Sequence, residues 1–295
     1  MRRVSLDQLE AFAAVARRRS FRGAARELGV SASTLSQTVR ELEERLGVRL
    51  LNRTTRSVAA TEAGQRLLER LTPALADISA AVDQVHAGES EPGGLLRINA
   101  PEPAVELVLA PKIGPFLRRF PRVRLDIVVQ SAMVDIVAEG FDAGVRWDES
   151  LARDMIAVSL SGPQRYVLVA SPEAIERWGA PAHPRDLLSK PCVRLKYPSG
   201  TMPPWEFERD GEVLRLEPDG PLICANSVLT AEAAAAGAAF AVVFEGYVAE
   251  HLAEGRLVEM LTDWLPPFPG PKLYYPSRRQ MPSALRAFVD FVKVR

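Results

Sequence analysis

Four hydroxyl residues and a glutamine fall within the first half of the stretch GVSASTLSQTVRELEERLG, residues 29–47. A helix places Ser33, Gln37 and Arg40 on one face, because they follow one another at steps of four and three, and Ser36 flanks that face. Short hydroxyl groups and a carboxamide can read base edges from a helix in the major groove, and an arginine can reach guanine or phosphate. The alternative is an ordinary solvated helix surface, so the surrounding elements must decide.

The flanking residues predict three closely spaced helices. Ser5 has the spacing that begins a capping box, and a second helix follows Ser20. Only Gly29 and Val30 separate that helix from Ser31, a natural N-cap for the third. This order is typical of a helix-turn-helix, whose second helix contacts DNA. The predicted DNA contacts on the third helix are Ser31, Ser33, Thr34, Ser36, Gln37 and Arg40.

A small wing is predicted after the third helix. Residues 48–51 and 57–60 read as two short strands, and the segment between them is basic. Arg53 and Arg56 suit phosphate or the minor groove, and Thr54 and Thr55 can add hydrogen bonds to phosphate.

Charge is distributed unevenly along the chain. Residues 1–60 hold 12 arginines, no lysine and 6 acidic residues, a net charge of +6, whereas the whole chain has a net charge of zero. A basic N-terminal segment on an acidic remainder indicates a polyanionic partner, here double-stranded DNA. Chance surface bias alone would also produce such an excess, but not together with helix spacing and a wing.

A long fourth helix is predicted from Thr61 to about residue 87. Its apolar residues repeat at steps of three and four, the pattern of a coiled-coil seam; they are Leu68, Leu71, Leu75, Ile78, Val82 and Val85. We expect this linker helix to form a homodimer, the alternative being that the seam packs on its own domain. Pro73 lies away from the seam and should cause a mild kink.

The remainder alternates strand and helix patterns and predicts an α/β region with helices on both faces of mostly parallel sheets. Among the predicted helices are 103–120 and 133–140, and a hairpin is expected around Asp210 and Gly211. The length suggests two lobes, with the chain crossing between them near Gln164 and Pro267.

No catalytic constellation is recognisable. The chain has three histidines, none of them near a cysteine or paired carboxylates in sequence, and its two cysteines, Cys192 and Cys224, form no metal-binding spacing. We therefore expect no catalytic residue, metal or cofactor. The lack of a signal peptide or a long apolar run predicts a cytoplasmic protein without a membrane partner. An enzyme and a solute-binding protein are the alternatives considered, and the basic N-terminal segment speaks against the second.

These features coincide in a known family. Residues 5–64 resemble the DNA-binding domain of LysR-type transcriptional regulators, most specifically through LGVRLLNRTTRSVAATEAG. GFDAGVR (140–146) and LYYPSRRQMPSALRAFVDF extend the resemblance along the chain. It implies a regulator that controls transcription in response to a small molecule, with a winged helix-turn-helix, a linker-helix dimer and a two-lobed, periplasmic-binding-protein-like (type 2) α/β effector domain. It also implies tetramers built from dimers.

The expected division follows from that resemblance and the element pattern. Residues 1–60 form the winged helix-turn-helix domain, 61–88 the linker helix and 89–94 a hinge. Lobe I comprises 95–163 and 268–295, and lobe II comprises 164–267.

Ligands of open α/β sheets bind beyond the carboxyl ends of strands, which places the effector between the lobes. A small organic acid is expected, because Arg146 and Lys196 favour an anion, although Glu102 opposes it. The expected effector contacts are Ala100, Pro101, Glu102, Gln130, Ser131, Arg146, Trp147, Lys196, Tyr197, Ser199, Gly200, Thr201, Asn226, Ser227 and Phe244. In the family the first effector strand commonly leads into a hydroxyl-bearing turn, whereas here Ala-Pro-Glu-Pro follows it.

Overall fold

The protein is described by a computed structural model that covers residues 4–53, 58–86, 91–132, 134–147, 155–197, 199–276 and 281–293. Its N-terminal region contains the three predicted helices, α1 (Leu6–Arg18), α2 (Phe21–Leu28) and α3 (Ala32–Leu46). Ser31 caps α3 by accepting a hydrogen bond from the Thr34 N–H at 3.0 Å. Gly29 ends α2 at φ 67°, a conformation that glycine adopts without steric cost. The helix-turn-helix is therefore confirmed, with its capping residues.

The three helices enclose one apolar core. Helical spacing brings side chains of α1, α2 and α3 to the inside, where they lose contact with water. Its deeply buried members include Phe12, Val15, Ala24, Leu35, Val39, Leu42 and Leu50.

The wing strands are β1 (Leu51–Arg53) and β2 (Val58–Ala60), paired antiparallel. The prediction of a strand at 48–51 is wrong, because the chain first turns around the end of α3. The carboxylate of Glu43 accepts hydrogen bonds from the N–H groups of Leu50 at 2.9 Å and Leu51 at 3.0 Å. These two bonds hold the segment against α3, so pairing with β2 begins only at Leu51.

The long helix α4 spans Glu62–His86 and contains Pro73. Its first half does not form a free seam. Leu71 is buried in the N-terminal core, and Leu68 and Leu75 pack against the same core. The alternative of packing on its own domain is thus correct for this half, whereas Ile78 in the next turn is 44% exposed. The side chains of Val82 and Val85 lie outside what the structure describes.

Lobe I is the five-stranded sheet and the helices packed on it. The sheet order is β4 (Arg122–Val129), β3 (Gly93–Ala100), β5 (Ala143–Arg146), β14 (Lys272–Pro276) and β6 (Met155–Ser159). The strands β4, β3 and β5 are parallel, and β14 is antiparallel to both of its neighbours. The sheet is covered by α5 (Glu102–Ala104), a π-helical turn (Val105–Leu109), α6 (Ala110–Arg119) and α10 (Ser283–Val292).

The predicted helix at 133–140 is wrong for the residues that the structure describes there. Residues 136–140 form a turn, because a Schellman motif closes the segment there. The Phe141 N–H bonds to the carbonyl of Ile136 at 2.7 Å, and the Gly140 N–H bonds to that of Val137 at 3.2 Å. Gly140 supplies the required positive φ of 71°.

Lobe II is built around β7 (Tyr166–Ala170), which lies between β12 (Ala241–Phe244) and β13 (Val258–Met260). Both neighbours are antiparallel to β7, so the expectation of mostly parallel sheets is wrong here. The reason is directional: β7 leaves the cleft edge at Tyr166, and β12 returns to it at Phe244, its pairing partner.

The other elements of lobe II complete its two apolar cores. A parallel pair joins β8 (Val193–Leu195) to β11 (Leu222–Cys224), and β9 (Trp205–Arg209) and β10 (Glu212–Leu216) form the predicted hairpin. The helices are α7 (Pro172–Trp178), α8 (Ser227–Ala235) and α9 (Glu245–Ala253).

The two chain segments that connect the lobes run side by side. Gln164 and Phe268 exchange two backbone hydrogen bonds, at 2.9 and 2.8 Å, in an antiparallel bridge. Among the helices of the described ranges, none is long and apolar enough to cross a membrane.

Candidate nucleic-acid interface and ligand cavity

The exposed face of α3 carries Ser33, Gln37 and Arg40, as the spacing predicts. Their neighbours organise the first turn: the hydroxyl of Ser31 lies 2.8 Å from those of both Ser33 and Thr34. These hydroxyl groups bond to one another within a single helical turn. The side chains of this turn are therefore short, polar and already held in place. Such a face can approach a groove without a large side-chain rearrangement.

Gln37 is oriented by its own helix. Its Nε2 donates to Oε1 of Glu41 at 3.1 Å, one turn further along. This contact leaves the amide oxygen of Gln37 without a partner in the described part of the chain.

Arg53 does not project from the wing but lies against α3. It donates to the hydroxyl of Ser36 at 3.2 Å and to the Glu43 carboxylate at 2.8 Å. Its guanidinium also lies 4.9 Å from the ring centre of Phe21. Ser36 is only half-exposed, so both residues are engaged in holding β1 on α3. Sequence spacing did not indicate the part played by Glu43.

Three predicted wing contacts, Thr54, Thr55 and Arg56, lie outside the described residues. Arg40, in contrast, is exposed on α3.

A cavity of about 840 Å³ lies between the lobes, where the strands end; we call it the cleft cavity. Ten of the fifteen expected contacts line it: Pro101, Glu102, Gln130, Ser131, Arg146, Trp147, Tyr197, Ser199, Ser227 and Phe244. The strand-end rule therefore located the cavity correctly.

Five expected contacts do not line the cleft cavity: Ala100, Lys196, Gly200, Thr201 and Asn226. Lys196 is excluded by strand alternation, since Val193, Leu195 and Tyr197 turn toward the cavity and residues between them turn away. Ala100 is fully buried in lobe I. Gly200 and Thr201 belong to a turn closed by the Tyr197 N–H and the Thr201 carbonyl at 2.8 Å.

The sequence-based selection also missed lining residues, mostly apolar ones that precede or follow the strand ends. They are Pro103, Val129, Ala132, Tyr166, Val193, Leu195, Ala225, Thr230, Val242, Val243 and Phe268. Alternation along strands 166–170, 193–195 and 241–244 is the signal that could have found several of them.

Arg146 forms the floor of the cleft cavity and is 2% exposed. Its guanidinium donates to three neutral oxygens, those of Asn99 Oδ1, the Ala132 carbonyl and the Val145 carbonyl, each at 2.6 Å. Nε of Arg146 and Nδ2 of Asn99 have no partner in the described residues. No described carboxylate pairs with this buried cation, so the floor carries uncompensated positive charge.

An aromatic wall crosses from one lobe to the other at the cleft. Trp147 stacks on Phe244 with ring centres 5.3 Å apart, and Tyr166 lies 4.3 Å from the same Phe244 ring. Phe268 completes the wall, and Trp147 is fixed by donating to Gln164 Oε1 at 3.0 Å. Desolvation by the surrounding side chains raises the pKa of the Tyr166 phenol, which stays neutral. The wall offers an apolar surface to a bound molecule.

Two carboxylates on the helix after β3 reach across to lobe II. Glu102 accepts from Nδ2 of Asn226 at 2.9 Å, and Glu106 accepts from the Tyr247 hydroxyl at 2.6 Å. Burial, together with the neighbouring Glu106, raises the pKa of Glu102. Asn226 also caps α8, accepting from the Leu229 N–H at 2.7 Å, so it orients Glu102 from outside the cavity.

A second cavity of about 730 Å³ separates α1 and α4 from lobe I; we call it the interdomain cavity. At its edge, a methyl group added to Gly140 would stand 2.9 Å from Cγ2 of Thr72 on α4. Arg97 of β3 holds this corner by donating to the Gly140 carbonyl at 2.9 Å and to Asp126 at 2.9 Å. Lobe I therefore touches the linker helix through the turn that ends at Gly140.

Known protein families match both the helix-turn-helix region and the two-lobed region of the chain. The family description "Bacterial regulatory helix-turn-helix protein, lysR family" matches residues 6–65, and "LysR substrate binding domain" matches residues 89–295. The chain is 40% identical over 291 residues to the HTH-type transcriptional regulator YcaN of Escherichia coli K12, covering 99% of this chain and 95% of that one. It is 37% identical over 296 residues to the regulator PgrR of the same organism, covering 100% and 99%.

Solved structures agree in fold. CrgA, a LysR-type transcriptional regulator from Neisseria meningitidis, is 27% identical with a TM-score of 0.60, over 98% of both chains. Full-length AphB of Vibrio cholerae, at 24% identity, has a TM-score of 0.64 over the same shares and supports the fold alone.

Proposed function

The chain belongs to the LysR family of bacterial transcriptional regulators, with an N-terminal helix-turn-helix DNA-binding domain and an effector-binding domain, and we propose how its residues carry out that function. The family match, and not a missing motif, decides for a regulator over an enzyme. Within it, we assign residues 1–60 to DNA binding, 61–88 to the linker helix and 89–94 to a hinge, with the cleft between 95–163 plus 268–295 and 164–267. The hinge is shorter than predicted, because Gly93 and Gly94 already pair with β4 in the sheet of lobe I.

The DNA-reading face comprises Ser33, Gln37 and Arg40, with α3 lying in the major groove. The observation that carries this assignment is the exposed, preformed row of short polar groups on a helix that begins at a serine cap. The half-buried Ser36 and Arg53 act mainly by fixing the wing on α3. Footprinting on DNA that flanks the protein's own gene tests this, because substitution of Gln37 should weaken the specific footprint and substitution of Glu10 should not.

The linker helix α4 joins two copies through its second half. Its first half is occupied by the N-terminal core, whereas Ile78 presents an apolar side chain to solvent. The same α4 thus supports its own domain at one end and a partner copy at the other. Sedimentation of an Ile78→Asp variant tests this, and an unchanged dimer would contradict it.

The effector of the cleft cavity is a small organic acid. The buried cation Arg146 has no carboxylate partner within the described ranges, and a bound anion would compensate its charge. Lys196 plays no part in this, since it does not line the cavity. Repeating the footprint with a panel of organic acids tests the assignment, since the true effector must change the protected region.

The segment from Ser131 to Gly140 transmits the effector signal to α4. One end is tied to the cavity floor, where Arg146 donates to the Ala132 carbonyl at 2.6 Å. The other end packs at Gly140 on Thr72 of the linker helix. A ligand that moves Arg146 therefore shifts a segment that touches α4, provided that it binds the two arrangements with different affinity.

A further inference from the structure

The charges that line the cleft cavity are balanced rather than uniformly basic. Among the described residues, its lining holds one guanidinium, Arg146, and one carboxylate, Glu102. They belong to the ends of neighbouring strands, because Arg146 closes β5 and Glu102 follows β3. A purely anionic ligand meets an attractive floor and a repulsive wall in this cavity.

Glu102 is placed to accept a further donor. Only its Oε1 has a protein partner among the described residues, Nδ2 of Asn226 at 2.9 Å. The second oxygen belongs to a half-buried carboxylate on the cavity wall, which has lost part of its hydration. A cationic donor that enters the cavity would replace the hydration that this carboxylate has lost on burial.

Arg146 provides the opposite site. Its three hydrogen-bond acceptors are a carboxamide and two backbone carbonyls, all of them neutral, so none of them cancels its charge. Arg146 is also 2% exposed, and water cannot screen it well. A carboxylate placed above the floor gains from this charge even without displacing the existing hydrogen bonds.

The remaining surface is apolar. Trp147, Tyr166, Phe244 and Phe268 form the wall that crosses the cleft, and Val129, Leu195 and Val243 add aliphatic surface. A ligand body that fits this wall is a hydrocarbon or an aromatic ring, because either removes apolar surface from water on both sides of the contact.

We infer that the effector is a small zwitterion of the amino-acid type, with its carboxylate over Arg146, its ammonium at Glu102 and an apolar or aromatic side chain against Trp147 and Phe244. This inference rests on the proposed function of the cleft cavity and narrows its ligand class. It places Glu102 as the residue that selects an amino acid over the corresponding simple acid.

The test uses matched sets of three probes on the full-length protein, measured by isothermal titration calorimetry. Each set shares one body and differs in charge: phenylalanine, 3-phenylpropanoate and 2-phenylethylamine form one, and leucine and tryptophan with their acid and amine counterparts form the others. In at least one set, the amino acid should bind about tenfold or more tightly than either counterpart. Glu102→Gln should weaken amino-acid binding by about the same factor and leave the simple acid unchanged or tighter.

The matched control is Glu106→Gln. Glu106 lies one turn further along, bonds to Tyr247 and does not line the cavity, so its variant should keep the wild-type preference among the probes. An equal effect of both variants would overturn the inference by showing that general negative charge, rather than Glu102, selects the ligand.

The other outcomes separate this inference from the proposed function. If the simple acids bind at least as tightly as the amino acids and Glu102→Gln changes nothing, the zwitterion is wrong and the organic-acid effector stands. If the amines bind most tightly, or if no probe binds a protein that still binds DNA, both ligand assignments are wrong and only the DNA-binding role stands.

Discussion

The exposed face of α3 and the cleft cavity both present polar groups in fixed positions. The contacts that fix them span very different distances along the chain. On α3 the ordering contacts join residues two to four positions apart, such as Ser31 with Ser33 and Gln37 with Glu41. In the cavity, Glu102 is oriented by Asn226, 124 positions away. The first site is therefore formed by one helix, whereas the second exists only when two lobes are folded and docked.

Burial differs in the same direction. The polar groups on the outer face of α3 are exposed, so their substitution should change the stability of the fold little. Arg146, in contrast, is 2% exposed and donates hydrogen bonds to Asn99 and Ala132. An exposed polar group contributes to function with little effect on stability, and a buried one contributes to both.

The strongest test of the contrast is Arg146→Met. It leaves Asn99 Oδ1 and the Ala132 carbonyl without their buried donor, so the free energy of unfolding should fall by about 3 kcal/mol. Urea unfolding followed by tryptophan fluorescence measures this, because all four tryptophans lie beyond residue 146. Arg40→Met is the control and should stay within about 0.5 kcal/mol of wild type. Equal stability of the two variants would remove the contrast.

Gly140→Ala probes the contact between lobe I and the linker helix α4. The backbone at residue 140 has a φ of 71°, which alanine adopts only with strain, and the new methyl group would stand 2.9 Å from Cγ2 of Thr72. A loss of about 2 kcal/mol is therefore expected in the free energy of unfolding. Placing the substitution in a Thr72→Ser background removes the methyl contact and should recover part of that loss. Thermal unfolding of the single and double variants measures the difference. No recovery would show that lobe I does not press on α4.

Arg53→Ala tests the contrast between a half-buried and an exposed arginine within the N-terminal domain. Removing this half-buried partner of Glu43 and Ser36 should cost about 1 kcal/mol of local stability and increase hydrogen exchange in β1. Arg40→Ala should weaken DNA binding without changing exchange. Hydrogen exchange followed by mass spectrometry compares the protection of β1 in the two variants. Unaltered protection in the Arg53 variant would contradict its role in holding the wing.

The smallest effect concerns the pH dependence of Glu102. Burial, followed by Glu106, raises its pKa above the ordinary 4.5, so the folded state binds this proton more tightly than the unfolded one. Ionisation of Glu102 therefore lowers stability as the pH rises above about that ordinary value. The variant Glu102→Gln should gain stability relative to wild type at neutral pH, and the gain should disappear in acid. A difference independent of pH would show that the shift has another origin.

Local rules predicted much of the N-terminal half because its decisive contacts are local. The caps at Ser5, Ser20 and Ser31 and the turn at Gly29 follow from residue type and spacing over four positions. The start of β1 could not be predicted in this way, because a carboxylate of α3 determines it from seven residues away. The packing of Arg53 on α3 could not be predicted for the same reason, because it depends on the same carboxylate.

In the C-terminal half, the order of elements and the position of the cavity at the strand ends were predictable, but several details depend on tertiary structure. The described part of the segment expected to be a helix at 133–140 instead closes after a single turn at Gly140, where a Schellman motif and the contact with Thr72 coincide. Lys196 is excluded by the alternation of β8, whose register is set by pairing with β11. The charge balance between Arg146 and Glu102 emerges only when β3 and β5 lie side by side.

If the exposed face of α3 reads DNA sequence, substitutions on it must change which sequences the protein binds, and selection of bound sequences from a random DNA library measures this. Wild type, Gln37→Ala and Ser33→Ala would each be selected at the same salt concentration, because affinity for DNA depends on salt. Each variant should lose preference at one or two positions of each half-site and keep the rest. Identical consensus sequences for all three proteins would contradict it.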